Sequence, residues 1–468
     1  MRETIDFGID LGTAHSAIAV AENGRARVLK NGDGRDRTPS AVWMPREGTT
    51  HVGRKARERV ESDPDDAHTG FKSRMGVTGA EFGFRRAGVS LTPEQLSAEV
   101  LKSLCRDAAH ALGEPPAAAV IAVPAGCSPG RAAATGRAAV LAGLSEDCPL
   151  LPEPVAAALA YGAYGTDGAD GASGPVHRMV FGLGGGDFTA AVVAERGGEF
   201  RLLRHVGDPR LGGTHLDWAV VDELLAPAVE NELGLRDFVR GNPRWRTNFA
   251  RLRAAAETAK TELSRARRTE IIADLKDDDG HERPFLYTLT RGALDDLALP
   301  SYARAVEWCR NMLADASLRP DHIDRLLLVG GGTLAPGLRE LLADPRQGLG
   351  IPLDHSQDPT TVVARGAALH AGTVRVPVRR PRPAATAEIT DLLRELRGAL
   401  GTCESHLDRA GREKAGGFRT LVGELQLTVD RFEDAHGAGG GPHTAALMGQ
   451  LLERIRQFEG ALLRDPMR

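Results

Sequence analysis

The chain has 468 residues, 42% hydrophobic and 26% charged, which suits a soluble globular protein with room for two or three domains. A net charge of −4 gives no overall reason to expect nucleic-acid binding. No apolar run reaches the roughly 18 residues that span a bilayer, so no membrane association is expected.

The N-terminus, MRETIDFGIDLG, lacks the basic region and long apolar stretch of a signal peptide. The five cysteines (Cys105, Cys127, Cys148, Cys309, Cys403) are widely spaced and never form a C-x-x-C pair. That pattern disfavours a disulfide framework or zinc site and points to a reducing, cytoplasmic setting. Only seven of the 59 basic residues are lysine, so a lysine at a chemically demanding position stands out.

IDFGIDLG reads as a strand ending in an acid and a glycine. SAIAVAENG reads as a second strand turning at Asn23-Gly24. A short glycine-bearing loop, Asp10 to Ser16, joins them. Helical stretches follow at 93–112 and 131–142. About 175 residues after the first unit, RMVFGL, GGGD and FTAAVVAERGG repeat the order strand, glycine turn, strand. A further helix is expected over 247–268. In 324–342 a buried-type strand runs through Gly330, Gly331 and Gly332 into a helix, an arrangement that favours anions. The mixture points to an α/β class with layered sheets. Residues 373–387 are basic and proline-rich, Arg379–Arg382 included, and read as a stiff linker. Apolar stripes at helical spacing within 388–401, 417–435 and 443–464 predict a three-helix tail, either a small bundle or a coiled-coil-like docking arm.

The segments GIDLGTAHSAIAV, FKSRMG, VIAVPA, PEPVAAALAYG, FGLGGGDF, LGGTHLD, ETAKTELS, LLVGGGT and DPTTVVARGAALHAG occur in the order that resembles the heat-shock protein 70 (DnaK-type) chaperones. The resemblance covers residues 4 to about 372 and implies an actin-like ATPase fold. Two lobes, about 1–175 and 176–372, would flank a cleft holding ATP or ADP with Mg²⁺, followed by a C-terminal α-helical segment. It implies that Asp10 holds Mg²⁺ through water. Gly12, Thr13 and Ala14 in the first loop and Gly184, Gly185 and Gly186 in the second would receive the phosphates. Lys72 would position the γ-phosphate and stabilise developing charge, with Glu153 assisting the water or the metal. Pro124 would relay nucleotide state between the lobes, and Gly212 and Gly213 would line the cleft.

Glu257, Lys260 and Ser264 fall at i, i+3 and i+7 of one helix, a single face that could converge on ribose and base. Elsewhere that trio would read as a salt-bridged solvent face. The three glycines 330–332 would let the backbone pass the adenosine.

The second loop departs from the family's D-L-G-G-G-T-F-D. Gly182 and Thr189 replace its two acids, and Asp187 stands at its threonine. Asp187 either reaches back to supply a Mg²⁺ contact or faces the γ-phosphate. An unneutralised carboxylate about 4 Å away would repel by roughly 4 kcal/mol at an effective dielectric near 20. Pro152, Leu334 and Thr360 replace an asparagine, an arginine and an acid of the family pattern. No run of alternating strands follows residue 372, so a peptide-clamping β-sandwich is not expected. The leading reading is a nucleotide-dependent switch with slow or impaired hydrolysis whose tail engages a protein partner. A non-catalytic scaffold is the alternative. A small-molecule kinase of the same superfold is disfavoured by the chaperone-like motifs.

Overall fold

The computed structural model describes residues 6–60, 62–164 and 175–374. Strand Phe7–Asp10 is buried, and it pairs antiparallel with His15–Glu22. The next turn places Asn23 at φ 53° and Gly24 at φ 75°, the left-handed pair that a two-residue hairpin demands. Strand Arg25–Val28 closes the meander. Strands Val120–Val123 and Leu150–Pro152 add on the other side of Phe7–Asp10, both parallel.

The second sheet repeats this topology. Val176–Leu183, Phe188–Arg196 and Glu199–Asp208 form the meander, turning at Gly197 and Gly198, both with positive φ. Arg325–Val329 and Leu353–Asp354 extend it in parallel. The repeat seen in the glycine turns is therefore a repeat of the whole five-strand order.

An alanine-rich core joins the sheets. Helices Glu153–Tyr164 and Val362–Ala371 contribute Ala156, Ala160, Val362 and Ala367, packed with Val120 and Leu151 of one sheet and Val180 and Leu327 of the other. Such short side chains let two helices and two sheets meet closely. Trp245, Phe249, Leu252, Phe285 and Leu289 form a separate core between helix Arg246–Leu263 and the hairpin Arg268–Lys276/Glu282–Thr290.

Helix Pro93–Leu112 matches its expected span. Thr92 and Gln95 form a reciprocal capping box, and Gly113 ends it at φ 82°. The helix expected at 131–142 runs from Pro129 to Leu141, started by the Ser128 side chain. The helix expected over 247–268 stops at Leu263. There the Arg291 guanidinium donates to the carbonyls of Leu263 and Ala266, and the chain turns into a strand at Arg268. Among the described residues no helix is long and apolar enough to cross a membrane. The linker beyond residue 374 and the tail helices expected within 388–468 lie outside the described residues.

Candidate nucleotide cleft

One cleft gathers the residues singled out from the sequence, including Asp10, Lys72, Glu153, Asp187 and all three glycine turns. The first turn is held by two buried serines. Gly12 N–H donates to Ser16 Oγ at 3.1 Å, Ser40 Oγ donates to the Gly12 carbonyl at 2.7 Å, and the two hydroxyls lie 2.9 Å apart. Gly12 thus lines the cleft with its N–H already partnered inside the turn. Thr13 and Ala14 form the tip. A Cβ built on Gly186 would lie 3.1 Å from Thr13 Cγ2, and one on Gly185 would lie 2.7 Å from Ala14 Cβ, so the two turns touch across the cleft.

The second turn is held by backbone. Gly184 N–H donates to the Asp187 carbonyl at 3.0 Å. Gly213 and Thr214 N–H donate to the carbonyls of Gly184 and Gly185, each at 2.9 Å. Among the described residues no acceptor takes the N–H of Gly185 or Gly186. Gly212 is required by close approach: a Cβ there would lie 2.3 Å from the Gly186 carbonyl carbon. Lys260 Nζ donates to the Gly213 carbonyl at 2.8 Å and pairs with buried Asp217.

Glu257 pairs with Arg57 of the first half, 200 residues earlier in the chain. Burial would raise the Glu257 carboxyl, but Arg57 and Lys260 outweigh it and hold it below the usual range. Glu257 and Lys260 thus share a face, yet both are committed to protein partners. Ser264 sits one residue past the helix end, its hydroxyl donating to the Thr261 carbonyl at 2.7 Å.

At the floor Lys72 Nζ, in the tight turn Phe71–Arg74, donates to Glu153 Oε1 at 3.1 Å. Burial pulls the Lys72 ammonium down, but Glu153, Asp10 and Asp187 together raise it above the ordinary value. Asp10 is pushed up to about 7, by burial first and then by Glu153, against Lys72 and Arg37. Asp187 is raised by burial and by Glu153, opposed by Lys72 and Arg131. Asp187 thus lines the same cleft as Lys72, and the charges of the two act on one another. At the hairpin ends Gly182 and Thr189 are directly opposite one another, and a Cβ on Gly182 would lie 2.6 Å from Thr189 Oγ1. The resemblance expects two acids there; one hydroxyl fills the space.

In the third turn Gly330 has φ 86°, and a Cβ on it would lie 2.5 Å from the Leu183 carbonyl oxygen, so only glycine fits. Gly331 and Gly332 continue as a single tight turn before helix Pro336–Ala343. Arg291, Asp295, Tyr302 and Leu334 also line the cleft.

Sequence reasoning missed Arg37, Arg131, His15, Ser16 and Ser40. Arg131 follows the helix-start signal Ser128-Pro129, but in an arginine-rich chain no single arginine draws notice. Ser16 and Ser40 act as a pair across 24 positions, which nothing local announces.

Two antiparallel glycine hairpins on duplicated sheets, with a lysine–carboxylate centre between them, define the actin-like ATPase class. A family model described as Hsp70 protein matches residues 6–401. The chaperone protein DnaK of Thermus thermophilus is 36% identical over 394 residues, 80% of this chain and 61% of that protein, and the figures are the same for two strains of that organism. The chaperone protein dnaK1 of a Nostoc species is 34% identical over 391 residues, 78% of this chain and 54% of that protein. The chain belongs to the Hsp70 family, and it spans about three fifths or less of the length of these relatives.

Proposed function

We propose that the chain binds ATP and ADP in this cleft and works as a nucleotide-dependent switch, with hydrolysis slow. The observation that carries the reading is the contact of the two glycine turns over the Lys72–Glu153 pair, with Asp10 and Asp187 beside it. A polyphosphate entering between the turns meets the N–H groups of Gly185 and Gly186 and the Lys72 ammonium. Its presence forces the turns apart or locks them together, and the shared alanine core transmits that movement between the sheets.

Slow hydrolysis follows from the charges. Three carboxylates already compete for Lys72, and Asp187 adds negative charge where the family pattern has a hydroxyl. Of the carboxylates the family pattern offers a hydrated Mg²⁺ or its water, Asp10 and Glu153 are kept, whereas the Gly182/Thr189 pair offers none. Asp10, Glu153 and Asp187 would hold a hydrated Mg²⁺, which would supply countercharge to the phosphates.

The sequence supports a helical segment after the linker as the part that engages a protein partner, in a cytoplasmic protein. The lost acid pair is also the observation that favours a second reading, a scaffold that keeps the fold and no longer turns over nucleotide.

Calorimetric titration of the full chain with ATP and with ADP, paired with steady-state phosphate release, tests the proposal. Binding with turnover that is slow or below detection supports the switch. Absence of binding by either nucleotide leaves the scaffold.

A further inference from the structure

One face of helix Arg291–Asp315 lines the cleft, through Leu294, Asp295, Ala298, Tyr302 and Ala305 at successive turns. The start of this helix is pinned on two sides. The Arg291 guanidinium donates to the carbonyls of Leu263 at 3.0 Å and Ala266 at 2.7 Å, which bracket Ser264. One turn on, Asp295 lies against the helix that follows the third glycine turn: a Cβ built on Gly337 would be 2.6 Å from the Asp295 carboxylate carbon. Ser264 and the third glycine turn are the two elements expected to receive the adenosine. The segment from Arg291 to Asp295 therefore spans from one of them to the other.

Two carboxylates belong to this end of the cleft. Glu257 is paired with Arg57, whereas Asp295 has no hydrogen bond or ion pair among the described residues. Burial raises the Asp295 carboxyl, and the charge of Arg291 opposes the rise. Tyr302, only 7% exposed, lines the same face, and among the described residues its hydroxyl has no partner either. Leu294, Ala298, Leu334 and Ala335 add apolar surface to the lining. A flat ring can therefore be held by its faces while a half-buried carboxylate waits at its edge for N–H donors. An exocyclic amino group supplies such donors, and a ring carbonyl in its place would set one oxygen against another. We infer that Asp295 reads the base, accepting a hydrogen bond from the amino group of adenine, and that it selects adenine over the corresponding oxo base, hypoxanthine. The inference rests on the nucleotide-binding reading above and adds the group that chooses the base.

The test is calorimetric titration of the full chain with ATP and with ITP, in the same Mg²⁺ buffer. The two differ by an amino against an oxo group at one ring carbon. The wild type is expected to bind ATP about tenfold to a hundredfold more tightly than ITP, the worth of a hydrogen bond to a charged group. In Asp295→Asn the side-chain amide can accept from an amino group or donate to an oxo group, so the ratio is expected to fall to within about threefold. Circular dichroism establishes that the variant is folded.

A wild-type ratio near one overturns the inference without recourse to any variant, and leaves nucleotide binding intact. A ratio that persists in Asp295→Asn, with both nucleotides weakened alike or not at all, overturns it as well and makes Asp295 a brace for helix Pro336–Ala343. No binding of either nucleotide by the wild type removes the nucleotide reading and this inference together.

Discussion

The two glycine turns do the same work with different supports. The first is fastened by side-chain hydroxyls, those of Ser16, four residues past Gly12, and of Ser40, 28 residues past it. The second is held by backbone, through N–H groups of Gly213 and Thr214 on a segment that is in turn tied to Lys260 and Asp217. A side-chain brace tolerates loss of one hydroxyl. A backbone brace depends on two loops approaching within van der Waals distance, and so on every residue that permits the approach.

The largest effect expected from this contrast is at Gly212. Gly212→Val puts a side chain into the Gly186 backbone, so the second turn must move or the helix Gly213–Val220 must detach. A loss of more than about 3 kcal/mol of stability, or a folded protein with at least about a hundredfold weaker nucleotide binding, is expected from urea unfolding and calorimetry. Wild-type behaviour on both counts would show that the turn does not need its backbone brace.

Lys260→Ala comes next, because it leaves Asp217 buried without its cation. A cost of about 3 kcal/mol is expected, with much of it recovered in the double variant Lys260→Met/Asp217→Asn. No recovery would mean that the contact with the Gly213 carbonyl, not the ion pair, carries the effect.

On the first side, His15 gives a pH signature. Burial and the charges of Arg37 and Arg57, only partly offset by Glu257, push its imidazole down to about 4 from 6.5. Between those values the unfolded chain takes up the proton first, so this residue's contribution is fully present above pH 6.5 and is lost as pH falls toward 4. The loss is up to about 3 kcal/mol. Asp10, raised to about 7, acts in the opposite direction over much of that range. The measurement is therefore the difference in urea stability between wild type and His15→Gln, which should shrink as the solution is acidified. A difference that does not change with pH would deny His15 the role.

The smallest effect is Ser40→Ala. It removes one donor to the Gly12 carbonyl and one contact to Ser16, at about 1 kcal/mol by urea unfolding, with nucleotide affinity within about threefold of wild type. A collapse in affinity would show that the first turn is as interdependent as the second.

Much of the cleft was legible because its chemistry sits in contiguous stretches. The glycine turns, Asp10, Lys72, Glu153 and Asp187 all meet in it, and the scarcity of lysine drew attention to Lys72 and Lys260. The same argument misdirected where the free charge lies. Both lysines are committed to carboxylates, while among the described residues the cleft cations without an ion pair are Arg37, Arg131 and Arg291, hidden among many other arginines. Helical spacing put Glu257 and Lys260 on one face correctly but could not say that Arg57 and Asp217 wait for them there.

By itself the sequence determined the α/β class, the duplicated hairpins with their left-handed turns, and the order of the motifs that line the cleft. These depend on local geometry: alternation, positive φ at Asn23-Gly24 and Gly197-Gly198, and side chains that cap a neighbouring turn. Only the tertiary structure decided which N–H groups are already used and which charges cancel. It also placed Gly182 opposite Thr189, so that the two lost acids are one event in space. Hydrogen bonds and ion pairs join groups tens to hundreds of residues apart, and their partners are chosen by the packing of the two sheets around the alanine core, which no local pattern encodes.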